Sequence, residues 1–222
     1  MERIFEGEVF EIVPQAQGIV FSYRKASAGK NVVVAYKMLS LENDVMTDVA
    51  KNIYLLSKFG SNYRSSSELC SNYITARSAV LPSGRVFLCT DNGNAYLIDG
   101  DGLPIWSGDF KYKGNVPSDI AIHKNSLWAC YSKSGVLLRF NLNTMREELR
   151  IGGTNSPFDK PVDIFVDEDN AFISNSGSNK VIKVNLDSYG VREYKEFSES
   201  VYAYRKIKDR EFVLLESGIY VL

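Results

Sequence analysis

The sequence predicts an all-β fold, a five-bladed β-propeller whose blades are four-stranded antiparallel sheets. The first observation is a repeat: LWACYSKSGVLLRFNLNT, residues 127–144, and AFISNSGSNKVIKVNLDS, residues 171–188, follow one pattern about 44 residues apart. The second is that each copy divides into short runs rich in Val, Ile, Leu and aromatic residues, separated by Gly, Asn, Ser and Asp. Such runs are typical of strands joined by tight turns, and four of them in about 40–45 residues are typical of a propeller blade.

The blades follow in chain order as one domain over residues 1–222. Their ranges are about 9–59, 74–110, 118–153, 162–198 and 201–222. The first range is interpreted as VFEIVPQAQGIVFSYRK, NVVVAYKMLSL and VMTDVAKNIYLLSKF, with no helix of note. The last range supplies only three strands, so we expect residues 3–8, RIFEGE, to add the fourth and close the ring. An open ring would leave a row of unpaired backbone groups at its edge.

The composition excludes several classes of protein. A net charge of −1, with 45% hydrophobic and 24% charged residues, is ordinary for a soluble domain and argues against a nucleic-acid partner. No apolar run reaches the length of a membrane span, and the start MERIFEGEVF is too acidic for a signal peptide, so we expect no membrane association. Cys70, Cys89 and Cys130 form no CxxC pair, which favours a cytoplasmic protein with buried thiols. We expect a monomer.

Two segments resemble known propeller repeats. FISNSGSNKVIKVNLDS, residues 172–188, resembles the NHL-type repeat, with its polar Ser-Gly turn and its strand ending in Asn or Asp. NAYLIDGDGLPIW, residues 94–106, is similar to the repeat of quinoprotein-type propellers, with Gly102 and Trp106 in the expected places. The resemblance implies the propeller fold. NHL-like repeats resemble those of lactonase and antibiotic-lyase propellers, which carry a metal or a His–carboxylate pair near the channel mouth. The resemblance therefore also implies that a site would lie at the channel mouth.

The long loops are predicted to collect on one face of the ring. They cover residues 24–30, 59–72, 109–117, 152–161 and 175–180, whereas the connections on the opposite face are short. Long loops on a rigid scaffold often carry binding function, so we expect this long-loop face to be the working face. Several tyrosines in or beside the long loops could contact a protein or a glycan, or could pack without a partner: Tyr23, Tyr63, Tyr73, Tyr112 and Tyr131.

Candidate binding residues lie where inner strands begin and second strands end. Asp119 and Asp163 start two neighbouring inner strands at the same position of the repeat. The predicted binding set is Arg24, Asp91, Asp119, Tyr131, Asp163, Asn175 and Glu216. No cofactor is predicted, but the oxygen atoms of Asp119, Asp163 and Asn175 could hold Ca²⁺ or Mg²⁺. The alternative is that the aspartates accept backbone N–H groups and tie the blades together.

No catalytic set can be assembled from the sequence. His123 is the only histidine, and its place at the end of DIAIH puts it on the short-loop face, where we expect a surface turn residue. The sequence therefore favours a module that binds a protein, a glycan or another small molecule over an enzyme. The alternative is a metal-assisted lyase, lactonase or glycoside hydrolase with its site at the channel mouth.

Overall fold

The fold is a ring of five four-stranded antiparallel sheets, as the sequence predicts. It is seen in a computed structural model that describes residues 1–26, 32–60 and 76–222. Blade 1 consists of β2 (Val9–Gln15), β3 (Gly18–Lys25), β4 (Val33–Ser40) and β5 (Met46–Asp48). Blade 2 consists of β6 (Arg77–Val80), β7 (Val86–Cys89), β8 (Asn94–Ile98) and β9 (Pro104–Asp109).

The other three blades complete the ring. Blade 3 consists of β10 (Asp119–His123), β11 (Ser126–Tyr131), β12 (Val136–Asn141) and β13 (Glu147–Gly152). Blade 4 consists of β14 (Pro161–Asp167), β15 (Asn170–Asn175), β16 (Lys180–Asn185) and β17 (Val191–Glu196). Blade 5 consists of β18 (Val201–Ile207), β19 (Arg210–Leu215), β20 (Gly218–Val221) and the N-terminal strand β1 (Glu2–Glu6).

The predicted ring closure is confirmed. Strand β1 pairs antiparallel with β20, from Glu2 opposite Val221 to Glu6 opposite Gly218. The first strand of the chain thus becomes the outer strand of the last blade. Strands from both ends of the chain therefore form one sheet, and the hydrogen bonds of this sheet close the ring.

In the part of the chain that the structure describes, the core consists of five apolar clusters, one at each junction between neighbouring blades. Strand β11 shows why the sequence takes this form. Leu127 and Ala129 pack toward blade 2, whereas Trp128 and Cys130 pack toward blade 4, because successive side chains of a strand point to opposite faces. A blade buried on both faces needs a continuous apolar run, which SLWACY supplies.

The prediction of no helix is wrong for the end of blade 1. The fourth strand, β5, has only three residues, and the chain then forms helix α1 (Lys51–Phe59). Its buried residues Tyr54, Leu55, Lys58 and Phe59 recur at helical spacing, a pattern that the strand interpretation of residues 45–59 overlooked. The helix ends at Gly60, whose positive φ of 63° and N–H bond to the Leu56 carbonyl are typical of a helix C-terminus.

Helix α1 fills the junction between blades 1 and 2. Its apolar side packs in one cluster with Val20 of β3 and with Val86 and Leu88 of β7. The other four junctions are direct contacts between sheets. Among the described residues, no helix has the length and the apolar run that a membrane crossing requires.

The cysteine prediction can be checked at two positions. Cys89 and Cys130 are fully buried free thiols, as the sequence predicts. Removal from water raises the pKa of the Cys89 thiol to about 12, so it is inert at neutral pH. Cys70, Tyr63 and Tyr73 lie outside the described residues.

Candidate ligand site at the channel mouth

Five equivalent residues surround the channel where the inner strands begin. Each pairs with the corresponding position of the second strand of its blade: Glu11 with Ser22, Arg77 with Cys89, Asp119 with Cys130, Asp163 with Ser174 and Ala203 with Leu214. We call Glu11, Arg77, Asp119, Asp163 and Ala203 the mouth ring. All five line one cavity of about 310 Å³, which opens on the long-loop face.

Two acidic members of the mouth ring join neighbouring blades by accepting backbone N–H groups. The carboxylate of Asp119 accepts a hydrogen bond from the N–H of Ile164 in blade 4, at 3.0 Å. The carboxylate of Asp163 accepts one from the N–H of Tyr204 in blade 5, at 3.4 Å. The predicted alternative, aspartates that tie blades together through backbone groups, is therefore present in the structure. The same side chains also face the cavity.

Asp163 forms a buried ion pair with Arg205 of β18. The guanidinium donates to both carboxylate oxygens, at 2.7 and 2.8 Å, and its Nε donates to the carbonyl of Ile12 at 3.1 Å. Only 9% of the Asp163 side chain and 10% of the Arg205 side chain are exposed. This bidentate geometry occupies both oxygens of Asp163 and connects blades 4, 5 and 1.

Asp119 lies in a different electrostatic environment. Removal from water, together with the nearby charge of Asp163, raises the pKa of Asp119 to about 8. Arg205 opposes this shift but does not outweigh it. The raised pKa favours the protonated side chain, which can donate a hydrogen bond to a bound molecule.

Glu11 is held by helix α1 rather than by a neighbouring blade. The ammonium of Lys58 lies 2.7 Å from a Glu11 carboxylate oxygen, and the Tyr54 hydroxyl donates to the same oxygen. Lys58 is 96% hidden along its side chain yet lines the cavity. Lys58 is absent from the predicted site residues because its segment is predicted to be a strand. The helical spacing of Tyr54 and Lys58, four residues apart, is the signal that could have found it.

Arg77 is the cationic member of the mouth ring. Its Nε donates to the Ser118 carbonyl at 3.3 Å, which joins blades 2 and 3, and its terminal nitrogen pairs with Asp91. Arg77 is also absent from the site residues predicted from sequence. The signal was available, because Arg77 begins its inner strand just as Asp119 begins the inner strand of the next repeat.

The remaining predicted site residues are not brought to the cavity. Arg24 is exposed and pairs with Glu8 across blade 1. Glu216 is an exposed turn residue between β19 and β20. Tyr131 is not a loop-face contact, because it is buried and its hydroxyl donates to the Phe110 carbonyl at 3.2 Å. Asp91 borders a neighbouring concavity rather than the cavity itself.

The metal set proposed from the sequence is not assembled. Asn175 is fully buried, with its amide oxygen bound to the Asp159 N–H and its amide nitrogen to the Ile173 carbonyl. Asp163 is saturated by Arg205. Asp119 is the one remaining oxygen donor of the three, so these residues do not fit Ca²⁺ or Mg²⁺, which need several oxygen ligands.

His123 is expected to be a surface turn residue, but in the structure it is the last residue of β10 and is largely buried. Its Nε2 lies 3.0 Å from Asp169 on the opposite face, and only 10% of its side chain is exposed. Within the described ranges, His123, Asp169 and Asp187 are the group of three potential metal ligands whose atoms come within 4.8 Å of one another. The ammonium of Lys124 contacts both carboxylates, at 2.8 and 2.9 Å, and so already supplies the cation.

Comparison with known proteins identifies the architecture only. No family model matches the sequence, and no curated protein matches it. The crystal structure of the computationally designed Ika4 protein matches with a TM-score of 0.52 and 11% identity, over 66% of this chain and 88% of that one. The designed Ika8 protein matches with a TM-score of 0.52 and 9% identity, over 96% of this chain. The match spans 57% of Ika8. At such identities the similarity shows the fold alone, and function must be argued from the site.

Proposed function

We propose that this protein is a binding module that holds a small polar ligand in the cavity at the mouth ring. The observation that carries the proposal is that the five equivalent positions of the mouth ring hold side chains of different charge and polarity. A propeller could repeat one tying residue around its channel, but here the five positions hold an arginine, three carboxyl groups and an alanine around a single cavity. The volume of about 310 Å³ lies at the lower end of the range for small-molecule sites, about 300–1,000 Å³.

The groups around the cavity suit a molecule with several hydroxyl groups. Protonated Asp119 and the cations Arg77 and Lys58 are donors, whereas Glu11 and the Ser118 carbonyl are acceptors. Polar groups held rigidly by the scaffold bind without first losing conformational freedom. Ala203, the one apolar member of the ring, leaves the volume that a ligand needs.

The test is a thermal-unfolding screen against neutral sugars, polyols, sugar acids and amino acids, followed by calorimetric titration of any compound that stabilises the protein. A compound at about 100 times its dissociation constant adds about 2.7 kcal/mol to the free energy of unfolding. Arg77→Gln should weaken binding at least ten-fold. Arg210→Gln is the matched control, because Arg210 also pairs with an aspartate, Asp44, but on the opposite face. Equal losses in both variants, or no stabilising compound, would refute the proposal.

The second candidate is an enzyme of the lyase, lactonase or glycoside hydrolase type. Asp119 favours it, because a carboxyl group with a raised pKa can act as a general acid near neutral pH. Asp163, the partner that such chemistry would use, is occupied by Arg205. Thermal unfolding with EDTA and then with Ca²⁺, Mg²⁺ or Mn²⁺ distinguishes the candidates. A rise in melting temperature that EDTA reverses would favour a metal-assisted enzyme over the binding module.

A further inference from the structure

A second concavity adjoins the cavity on the long-loop face. It lies between blades 2 and 3 and has a volume of about 620 Å³. Arg77, Ser118 and Val162 border both spaces, so the two are neighbouring parts of one depression. A molecule seated at the mouth ring can therefore extend past Arg77 into the second concavity.

The charges in this second concavity are mainly positive. Its lining contains Arg77, Lys111 and Lys133 against one acid, Asp91, which is already paired with Arg77. Lys111 lies 3.1 Å from Asp109, and both side chains remain substantially exposed. Lys133 has no ion-pair partner among the described residues. This excess of positive charge is local, because the protein as a whole has a net charge of −1.

Neutral groups in the same lining add hydrogen-bond donors. The side-chain oxygen of Asn92 accepts from the Thr90 hydroxyl and from the Asn94 N–H, which fixes the amide orientation. No described residue accepts a hydrogen bond from the Asn92 amide nitrogen, whose two N–H donors can serve another acceptor. Ser132, at the start of the turn that carries Lys133, brings a hydroxyl to the same space. Ammonium groups beside amide and hydroxyl donors suit an anion with several oxygen atoms.

We infer that Lys111 and Lys133 form a subsite for the phosphate or carboxylate of a ligand whose hydroxylated body lies at the mouth ring. This inference rests on the proposed function and narrows its ligand to an anionic polyol. Arg77 lies at the border, where its guanidinium serves both parts of the ligand. Phosphate and carboxylate share the chemistry that the subsite recognises, and a panel of probes separates them.

The test is calorimetric titration at constant ionic strength with glucose 6-phosphate, gluconate, sorbitol and inorganic phosphate. Lys111→Gln combined with Lys133→Gln should weaken binding of the better anionic polyol at least ten-fold, about 1.4 kcal/mol, and should leave sorbitol binding unchanged. The matched control combines Lys208→Gln with Arg210→Gln. It removes the same charge from a concavity on the opposite face and should change neither affinity.

The outcomes separate this inference from the proposed function. If the double lysine variant binds the anionic polyols as tightly as the unaltered protein, or if the control variant loses as much affinity, the subsite is refuted. If sorbitol binds as tightly as both anionic probes and Arg77→Gln abolishes its binding, the proposed function stands and the subsite is refuted. If none of the four probes binds the unaltered protein, the subsite is again refuted, and the broader screen decides the proposed function.

Discussion

At the scale of single residues, one position of the repeat has acquired different chemistry in each blade. Asp119 and Asp163 are equivalent, yet Arg205 forms an ion pair with Asp163, whereas no cation among the described residues forms one with Asp119. Burying a charge is costly unless it is paired, so the pKa of the carboxyl group without an ion pair is raised. The mouth ring thus contains a salt-bridged carboxylate and a second carboxyl group with a raised pKa. That difference gives the cavity both acceptors and donors.

The raised pKa of Asp119 predicts a specific pH dependence of stability. An unfolded aspartate has a pKa of about 3.9, so between about pH 4 and pH 8 the folded state binds this proton more tightly than the unfolded state. The contribution of Asp119 to the free energy of unfolding is therefore complete below about pH 4 and is lost as the pH rises through about 8. Asp119→Asn should flatten this decline, by at most about 1.4 kcal/mol per pH unit. Urea denaturation at pH 5, 7 and 9 measures it.

The control for this prediction is Asp48→Asn. The hydrogen bond and the charge of Lys37 hold the pKa of the exposed Asp48 carboxylate below its usual range, so both folded and unfolded states are ionised above pH 5. This variant should keep the pH dependence of the unaltered protein between pH 5 and 9. Parallel curves for all three proteins would show that Asp119 does not control it.

At the scale of elements, helix α1 packs between two blades at one junction, whereas the other junctions have direct contact between sheets. It packs between blades 1 and 2 and delivers Lys58 and Tyr54 to Glu11. Its position follows from the brevity of β5, which pairs with only three residues of β4. The chain leaves the sheet after β5. Helix α1, rather than the sheet of blade 2 alone, then covers the apolar face of blade 1. The same helix forms part of the cavity wall.

Truncating the buried end of α1 should destabilise the whole protein. Phe59 is fully buried between blades, so Phe59→Ala should cost about 3–5 kcal/mol through lost burial and the cavity that remains. Ile53 lies in the same helix with 40% of its surface exposed, and Ile53→Ala should cost less than about 1 kcal/mol. Chemical denaturation of both variants gives the comparison. Similar small losses would mean that α1 is peripheral to the fold.

At the scale of the whole molecule, stability depends on a closed ring. Each blade buries its two faces against its neighbours, so no blade completes a core by itself. Strand β1 provides the closing contact, because it joins the first residues of the chain to the last blade. Gly218 of β20 lies opposite Glu6 with a φ of 144°, and an added Cβ would approach the Phe5 carbonyl oxygen to 2.0 Å.

Gly218→Ala should therefore displace the closing strand. The strained backbone costs about 1–3 kcal/mol, and the contact with β1 should add about 1–3 kcal/mol more. Gly153→Ala is the matched control, since Gly153 has a φ of 108° but an added Cβ would meet no atom within 4 Å. Chemical denaturation measures the difference between them. Equal destabilisation of the two variants would contradict the importance of closure by β1.

The candidate site was only partly predictable from sequence. Asp119 and Asp163 were found because the repeat places both at the start of an inner strand. Asn175 was included for its position near the channel, but its amide is used inside blade 4. The sequence predicts Tyr131 beside a loop of the long-loop face, but its ring lies in the core between blades 2 and 3. A sequence repeat gives the position of a residue along its strand. It does not give the residue's hydrogen-bond and ion-pair partners, because many of these belong to other blades.

The sequence by itself determined the blades, their number and the closure of the ring, because a period of about 44 residues and continuous apolar runs are local properties of the chain. Tertiary structure alone decided which charges meet at the channel mouth. Arg205 reaches Asp163 across 42 residues, and Lys58 reaches Glu11 across 47. Ion pairs of this kind depend on which strands and helices become neighbours around the ring, and burial between them decides whether a carboxyl group keeps its proton.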